Sequence, residues 1–183
     1  MSLTYCAYVS DLPADNVHRA YHDFEYGMPV ADDNALFERL VLEMNQAGLS
    51  WETILKKREG FREAYRRFDI RAVASFGPMD VERLMADPGI IRNQAKIQAA
   101  IHNAKRVMEL QKAHGTFQGW LALHQSYTKD QWVKLMRDNF KFMGPEIVGE
   151  FLISTGFLPG AHEATCPIYT KILVAGPAWA MKK

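Results

Sequence analysis

The sequence predicts an all-α protein, and three observations carry the prediction. Apolar residues recur at helical spacing through almost every segment, strand-length alternation is missing, and no turn dipeptide of the hairpin kind occurs. A first long helix begins near Asp32. At ~100° per residue Leu36, Phe37, Leu40, Val41 and Met44 share one face, Glu43 falls beside Leu40 at its edge, and Glu38 and Arg39 lie on the wet side. Gly48 takes the left-handed conformation that ends this helix, and Ser50 caps a second one around Ile54. FREAYRRF (61–68) and DVERLMAD (80–87) read as short helices, broken by Gly77, Pro78, Pro88 and Gly89. Asn93 then caps a long helix whose stripe is Ile97, Ile101, Ala104 and Met108, and Gly115 stops it. Residues 116–127 read as an irregular connection or a further helix. Thr128 and Gln131 fit a capping box before a stripe of Trp132, Leu135, Met136 and Phe140. KFMGP turns the chain, with Pro145 at the first position of a new helix holding Ile147, Val148 and Phe151.

Composition bounds the function. At 183 residues, 48% of them hydrophobic, the chain is one domain (1–183) with ample core. No apolar run reaches the ~18 residues of a membrane span, and no basic segment followed by an apolar one opens the chain. The expectation is a cytoplasmic monomer without membrane or protein partners. A formal charge of +1 weighs against a non-specific DNA-coating role, so any nucleic-acid contact rests on local patches and backbone donors. Two cysteines 160 positions apart do not make a disulfide scaffold and read as thiols or metal ligands.

The chemically informative stretch is LEMNQAGLSW, residues 42–51. It sets an acid at the edge of an apolar face and returns an indole toward it across a tight turn. A carboxylate, partly desolvated, accepts from an exocyclic amine while Trp51 stacks on a planar ring. Residues 128–156 carry a second signal, two helices joined by a short turn. There Gly144 lets backbone approach a phosphate and unpaired amides at the next helix start donate to it. An ordinary helical hairpin has the same pattern.

LEMNQAGLSW resembles the E-G-x-Q-A-G-L-S-W segment of the bacterial type I 3-methyladenine DNA glycosylases. The likeness continues through AYHDFEYG (20–27), TILKKRE (53–59), DVERLMADPGIIRNQAKIQAAIHNAK (80–105), FKFMGP (140–145) and the pair His162 and Cys166, in the family's order. The resemblance implies a helix-hairpin-helix glycosylase fold (hairpin about 128–156) with a structural zinc site joining the termini, 1–22 and 160–170. Cys6, His22, His162 and Cys166 match the family's zinc ligands, and four protein ligands leave no open position for activated water. It further implies base excision repair, in which 3-methyladenine is flipped from double-stranded alkylated DNA and released, leaving an abasic site. Glu43, Trp51 and Tyr21 would then be catalytic, while Leu49, Lys56, Arg92, Lys96, Lys141 and Gly144 would contact DNA.

Five pocket positions depart from the family, which has tryptophan at Tyr8, tyrosine at His18, asparagine at Phe24, tryptophan at Tyr26 and glycine at Met44. These changes leave room for altered specificity or for a catalytically silent lesion-binding module. Each role also has an ordinary structural counterpart. Tyr21 reads as core, Glu43 as a partner of Arg58 or Lys57, Lys56 to Arg58 as a solvated helix end, and Arg92 and Lys96 as flanks of a cap.

Overall fold

The structure, a computed structural model, describes residues 4–181, so the first three positions of the 1–22 terminus fall outside the described residues. Eleven α-helices and no strands occur among them. In order these are α1 (Tyr5–Ser10), α2 (Val17–Phe24), α3 (Asp33–Gln46), α4 (Trp51–Ala64), α5 (Ile70–Ala74), α6 (Pro78–Ala86), α7 (Gln94–His114), α8 (Phe117–Ala122), α9 (Lys129–Asn139), α10 (Pro145–Ser154) and α11 (Pro167–Ala175). Among the described residues no helix is long and apolar enough to cross a membrane.

The central element is α3, which touches α4, α7, α8 and α10. Its start is fixed by Asp32, whose carboxylate accepts from the Ala35 amide at 3.0 Å. Leu36, Phe37, Leu40, Val41, Leu42 and Met44 are all at most 1% exposed, so the helix is buried around most of its circumference. Its apolar face spans more than the stripe read from the sequence, because neighbours cover it from several sides. Glu38 and Arg39, placed on the wet side by periodicity alone, are also buried. They are admitted because their charges are paired. Arg58 donates to Glu38 at 2.6 Å and to both oxygens of Glu25 at 2.6 and 2.7 Å, Arg62 reaches Glu38 at 3.0 Å, and Arg39 reaches Glu25 at 3.0 Å. Removing one member of such a network costs about 3–5 kcal/mol, since it strands a buried charge.

Turn chemistry follows the sequence at most positions. Gly48 has φ 83°, the Ser50 hydroxyl accepts from the Thr53 amide, Asn93 accepts from Lys96, and Gly115 has φ 85°. The Thr128–Gln131 capping box is present in full. Two differences are instructive. Helix α4 runs unbroken through Phe61 to Ala64 rather than yielding to a new helix at 61. Gly60 within it is required by crowding, since a Cβ there would meet the Gly89 carbonyl oxygen at 2.5 Å. The chain then turns through three non-glycine residues at positive φ, Arg66, Arg67 and Phe68. This left-handed turn costs about 1–2 kcal/mol per residue and is offset by complete burial of Phe68, which stacks on Tyr65 at 5.6 Å and 6°. The stretch 116–127 does hold a helix, α8, whose first amides donate to Asp33 at 2.8 and 2.9 Å.

The apolar tail forms a small second core, in which Ile168, Ile172 and Cys166 pack against Cys6, Met28 and Trp179. Gly27, at φ 81°, is the hinge that admits it, since a Cβ there would overlap Ala161 at 2.5 Å.

Candidate functional site

A cavity of about 390 Å³ opens where α1, α2, α3, α4 and α10 converge. Glu43 floors it from α3, Trp51 enters from the first residue of α4, and Tyr21 from α2. The Gly48 turn achieves what the sequence predicted, bringing indole and carboxylate into one pocket. Tyr26 closes a further side, its hydroxyl donating to Glu150 at 3.2 Å. The Tyr21 ring lies 5.2 Å from Trp51 and 5.5 Å from Tyr26, so these three rings form one continuous stretch of the wall beside Glu43.

Glu43 is 4% exposed. Burial pushes its pKa up to about 8; the Arg39 guanidinium opposes this, the Glu150 carboxylate adds to it, and the Ser154 hydroxyl opposes it. Two buried polar groups beside the cavity have no hydrogen-bond partner among the described residues, the Tyr21 hydroxyl and the Trp51 indole N–H. Buried polar groups are rarely left unpaired, so these two are places where a polar ligand could be accommodated. Arg39 sits behind this wall, its guanidinium carbon 4.8 Å from the Tyr21 ring centre.

Other sequence-predicted positions fall elsewhere. Met44 does not reach the cavity; it is fully buried in the core, its sulfur accepting from the Asn103 amide at 3.2 Å. His18 is buried against Tyr5, Tyr8 is exposed and stacks on Tyr5, and Phe24 is 72% exposed. Of the five divergent positions, only Tyr26 lines the cavity. Four residues that sequence reasoning missed do so as well: Tyr5, Gln46, Glu146 and Glu150. Glu146 and Glu150 are four apart on α10, a spacing that shows they share a face but not what that face meets.

Among the basic candidates, Lys56 is exposed and paired with Glu52 at 2.8 Å, and Arg92 and Lys141 are exposed. Lys96 is turned inward instead, 7% exposed, its ammonium donating to the Asn45 and Ala47 carbonyls at 3.0 and 2.9 Å. It caps the C-terminal end of α3, the favourable end for a cation. Lys96→Met should therefore destabilise the fold by about 1–2 kcal/mol, through unpaired carbonyls, and leave the salt dependence of duplex binding unchanged. Chemical denaturation and binding at two salt concentrations check it, and a shallower salt slope would return Lys96 to the DNA interface. Leu49, 39% exposed, projects from the turn between α3 and α4. At the α9–α10 turn Phe142 has φ 59°, Gly144 caps α10, and the space a Cβ would take at Gly144 is empty. A shallow depression there is bordered by Arg137, Lys141 and Phe142.

A second constellation joins the two ends of the chain. One ligand atom each from Cys6, His22, His162 and Cys166 lies within 4.8 Å of all the others. His162 Nδ1 is 3.6 Å from the Cys6 sulfur and 3.4 Å from the Cys166 sulfur, and His22 Nε2 is 3.8 Å from the latter. Sulfur and nitrogen on a tetrahedral zinc, with bonds of ~2.3 and ~2.0 Å, stand about 3.6 Å apart. Each histidine turns its other nitrogen to an acceptor, His22 to Asp23 at 2.7 Å and His162 to the Tyr26 carbonyl at 2.9 Å, an outer arrangement that fixes ligating imidazoles.

The chain matches known proteins over most of its length. The profile of the methyladenine glycosylase family covers residues 12–134. DNA-3-methyladenine glycosylase of Haemophilus influenzae is 39% identical, spanning 91% of this chain and 98% of that protein; DNA-3-methyladenine glycosylase 1 of Escherichia coli is 37% identical, spanning 90% and 96%. The solved structure of 3-methyladenine DNA glycosylase I from Staphylococcus aureus, determined for its recognition of 3-methyladenine, superposes with a TM-score of 0.80 at 33% identity, covering 92% of this chain and 97% of that one. With a shared fold, near-complete coverage and identity well above 30%, the chain belongs to the methyladenine glycosylase family.

Proposed function

We propose that this chain excises 3-methyladenine from alkylated duplex DNA, as a monofunctional glycosylase of base excision repair. The observation that carries the reading is the buried Glu43 on the floor of an aromatic cavity whose Tyr21 hydroxyl and Trp51 indole N–H lack partners among the described residues. A purine flipped out of the duplex stacks on Trp51 and brings its nitrogens to these groups. N-methylation makes the glycosylated base cationic, so Glu43, held back from ionising in the empty cavity, gains a counter-charge when that base arrives. Glu146 and Glu150 at the rim add to the same preference for positive charge. When the glycosidic bond breaks, its electron pair passes to the ring nitrogen and cancels the positive charge, and water adds its hydroxyl to the sugar carbon and releases its other proton to solvent. Among the described residues no lysine lines the cavity, in keeping with hydrolysis rather than Schiff-base chemistry.

The α9–α10 hairpin is assigned to the DNA backbone. Phosphate oxygens would meet the free amides that open α10, beside the vacant space at Gly144, with Lys141 and Arg137 close by. Lys56 and Arg92 would extend this contact, and Leu49 would fill the gap left by the flipped base. The four-ligand cluster suits zinc in a structural role, holding the ends of the chain together without a position for substrate.

Incubating the purified protein with N-methylated duplex DNA and identifying released bases by chromatography tests the reading. Release of 3-methyladenine with an intact sugar–phosphate strand is expected. Tight binding to the damaged duplex with no base released would assign the chain to lesion binding instead.

A further inference from the structure

Tyr5 lines the cavity from α1, directly before Cys6 in the chain. Its ring meets the Tyr26 ring edge-on at 5.2 Å, Tyr8 stacks behind it at 6.3 Å, and its hydroxyl bonds to Nδ1 of the buried His18 at 2.9 Å. Helix α1 has six residues, far below the ~12–15 at which an isolated helix holds itself together. The position of the Tyr5 ring is therefore set by what α1 is tied to. On one side that is His18; on the other it is Cys6, within the cluster, together with a hydrogen bond from the Thr4 hydroxyl to Glu163 at 2.9 Å.

We propose that Tyr5 is a specificity-determining wall of the base pocket, and that the Cys6, His22, His162 and Cys166 cluster sets this wall in place through Cys6. The proposal rests on the base-excision reading above. On that reading the ligand is a flat, methylated purine, and Tyr5 supplies an aromatic surface facing it that the two-residue signal of Glu43 and Trp51 does not include. The cluster then does more than stabilise the fold. It joins the two ends of the chain at the one place where doing so also completes the cavity, since Tyr26, whose carbonyl orients His162, forms the adjoining wall.

Titration of the purified, metal-loaded protein with free 3-methyladenine, followed by tryptophan fluorescence, tests this alongside metal content and circular dichroism. Tyr5→Ala should weaken binding about tenfold with metal content and helicity unchanged. Tyr5→Phe and His18→Phe should each weaken it about two- to threefold, and the double variant no further, because both remove the same hydrogen bond. Stripping the metal with a chelator should cost the wild type about as much affinity as Tyr5→Ala costs, and should cost Tyr5→Ala nothing more. A Tyr5→Ala protein binding within about twofold of wild type would overturn the wall, and a chelator effect that multiplies the Tyr5→Ala effect would overturn its link to the cluster. A wild-type protein that does not bind 3-methyladenine at all would overturn the base-excision reading itself, which separates the two failures.

Discussion

Glu43→Gln should lower kcat/KM for 3-methyladenine excision about 100-fold while changing affinity for undamaged duplex by less than about threefold. The amide keeps the shape of the floor but cannot offer the charge that a cationic base draws on. Proton linkage gives this prediction a second arm. In the folded protein Glu43 titrates at about 8, against 4.5 for an ordinary glutamate. Between these values the folded state binds the extra proton, so the stability Glu43 contributes is full below the lower value and is lost as pH rises through the upper one. Glu43→Gln should accordingly be as stable as wild type in acid and more stable above pH ~8, by a few kcal/mol at most at ~1.4 kcal/mol per pKa unit. Activity runs the other way. Wild-type kcat/KM should climb with pH as free Glu43 ionises, and that rise should be absent in the glutamine variant. A variant with full excision and an unaltered pH profile would make this acid a packing residue.

Cys166→Ala should cost several kcal/mol, a fall of about 10 °C or more in Tm, and abolish metal binding. The sulfur is buried, it faces both His22 and His162, and it belongs to the small core that seats the tail. Removing it leaves three ligands, and Ile168 and Ile172 lose the cross-link that holds them. The measurement is thermal unfolding of wild type and variant with metal analysis on the same samples. A folded, reduced wild-type protein without bound metal would sink the zinc assignment, and a disulfide between Cys6 and Cys166 would be the rival explanation of the same geometry.

How much of this was legible in the sequence depends on what kind of fact each residue reports. Caps and turns were readable because Asp32, Gly48, Ser50, Asn93, Gly115, Thr128 and Pro145 act locally, through their own backbone or the next turn of helix. The meeting of Glu43 and Trp51 followed from one such turn. Tyr5, Glu146 and Glu150 were not readable as pocket residues, because periodicity says which residues share a face and never which neighbour that face meets. Glu38, Arg39 and Lys96 misled for a related reason. A charge reads as solvent-facing until its partner is known, and the partners here stand on other elements, up to 51 positions away for Lys96. The left-handed turn at Arg66 to Phe68 carries no glycine or asparagine, so its cost is met by the burial of Phe68 and leaves no local mark.

The long sequence span of the cluster at the chain ends bears on the order in which the molecule is expected to fold. Cys6 and His162 are 156 positions apart. Closing a loop of that length from an unfolded chain costs about 4–5 kcal/mol in entropy alone, whereas α3 meets α4, α7 meets α8 and α9 meets α10 across far shorter spans of chain. On that entropy, these neighbouring helix pairs are expected to form before Cys6 meets His162 and Cys166. On that order, a molecule with its core helices formed and Glu43 buried would still lack the Tyr5 side of its cavity until the two ends had met.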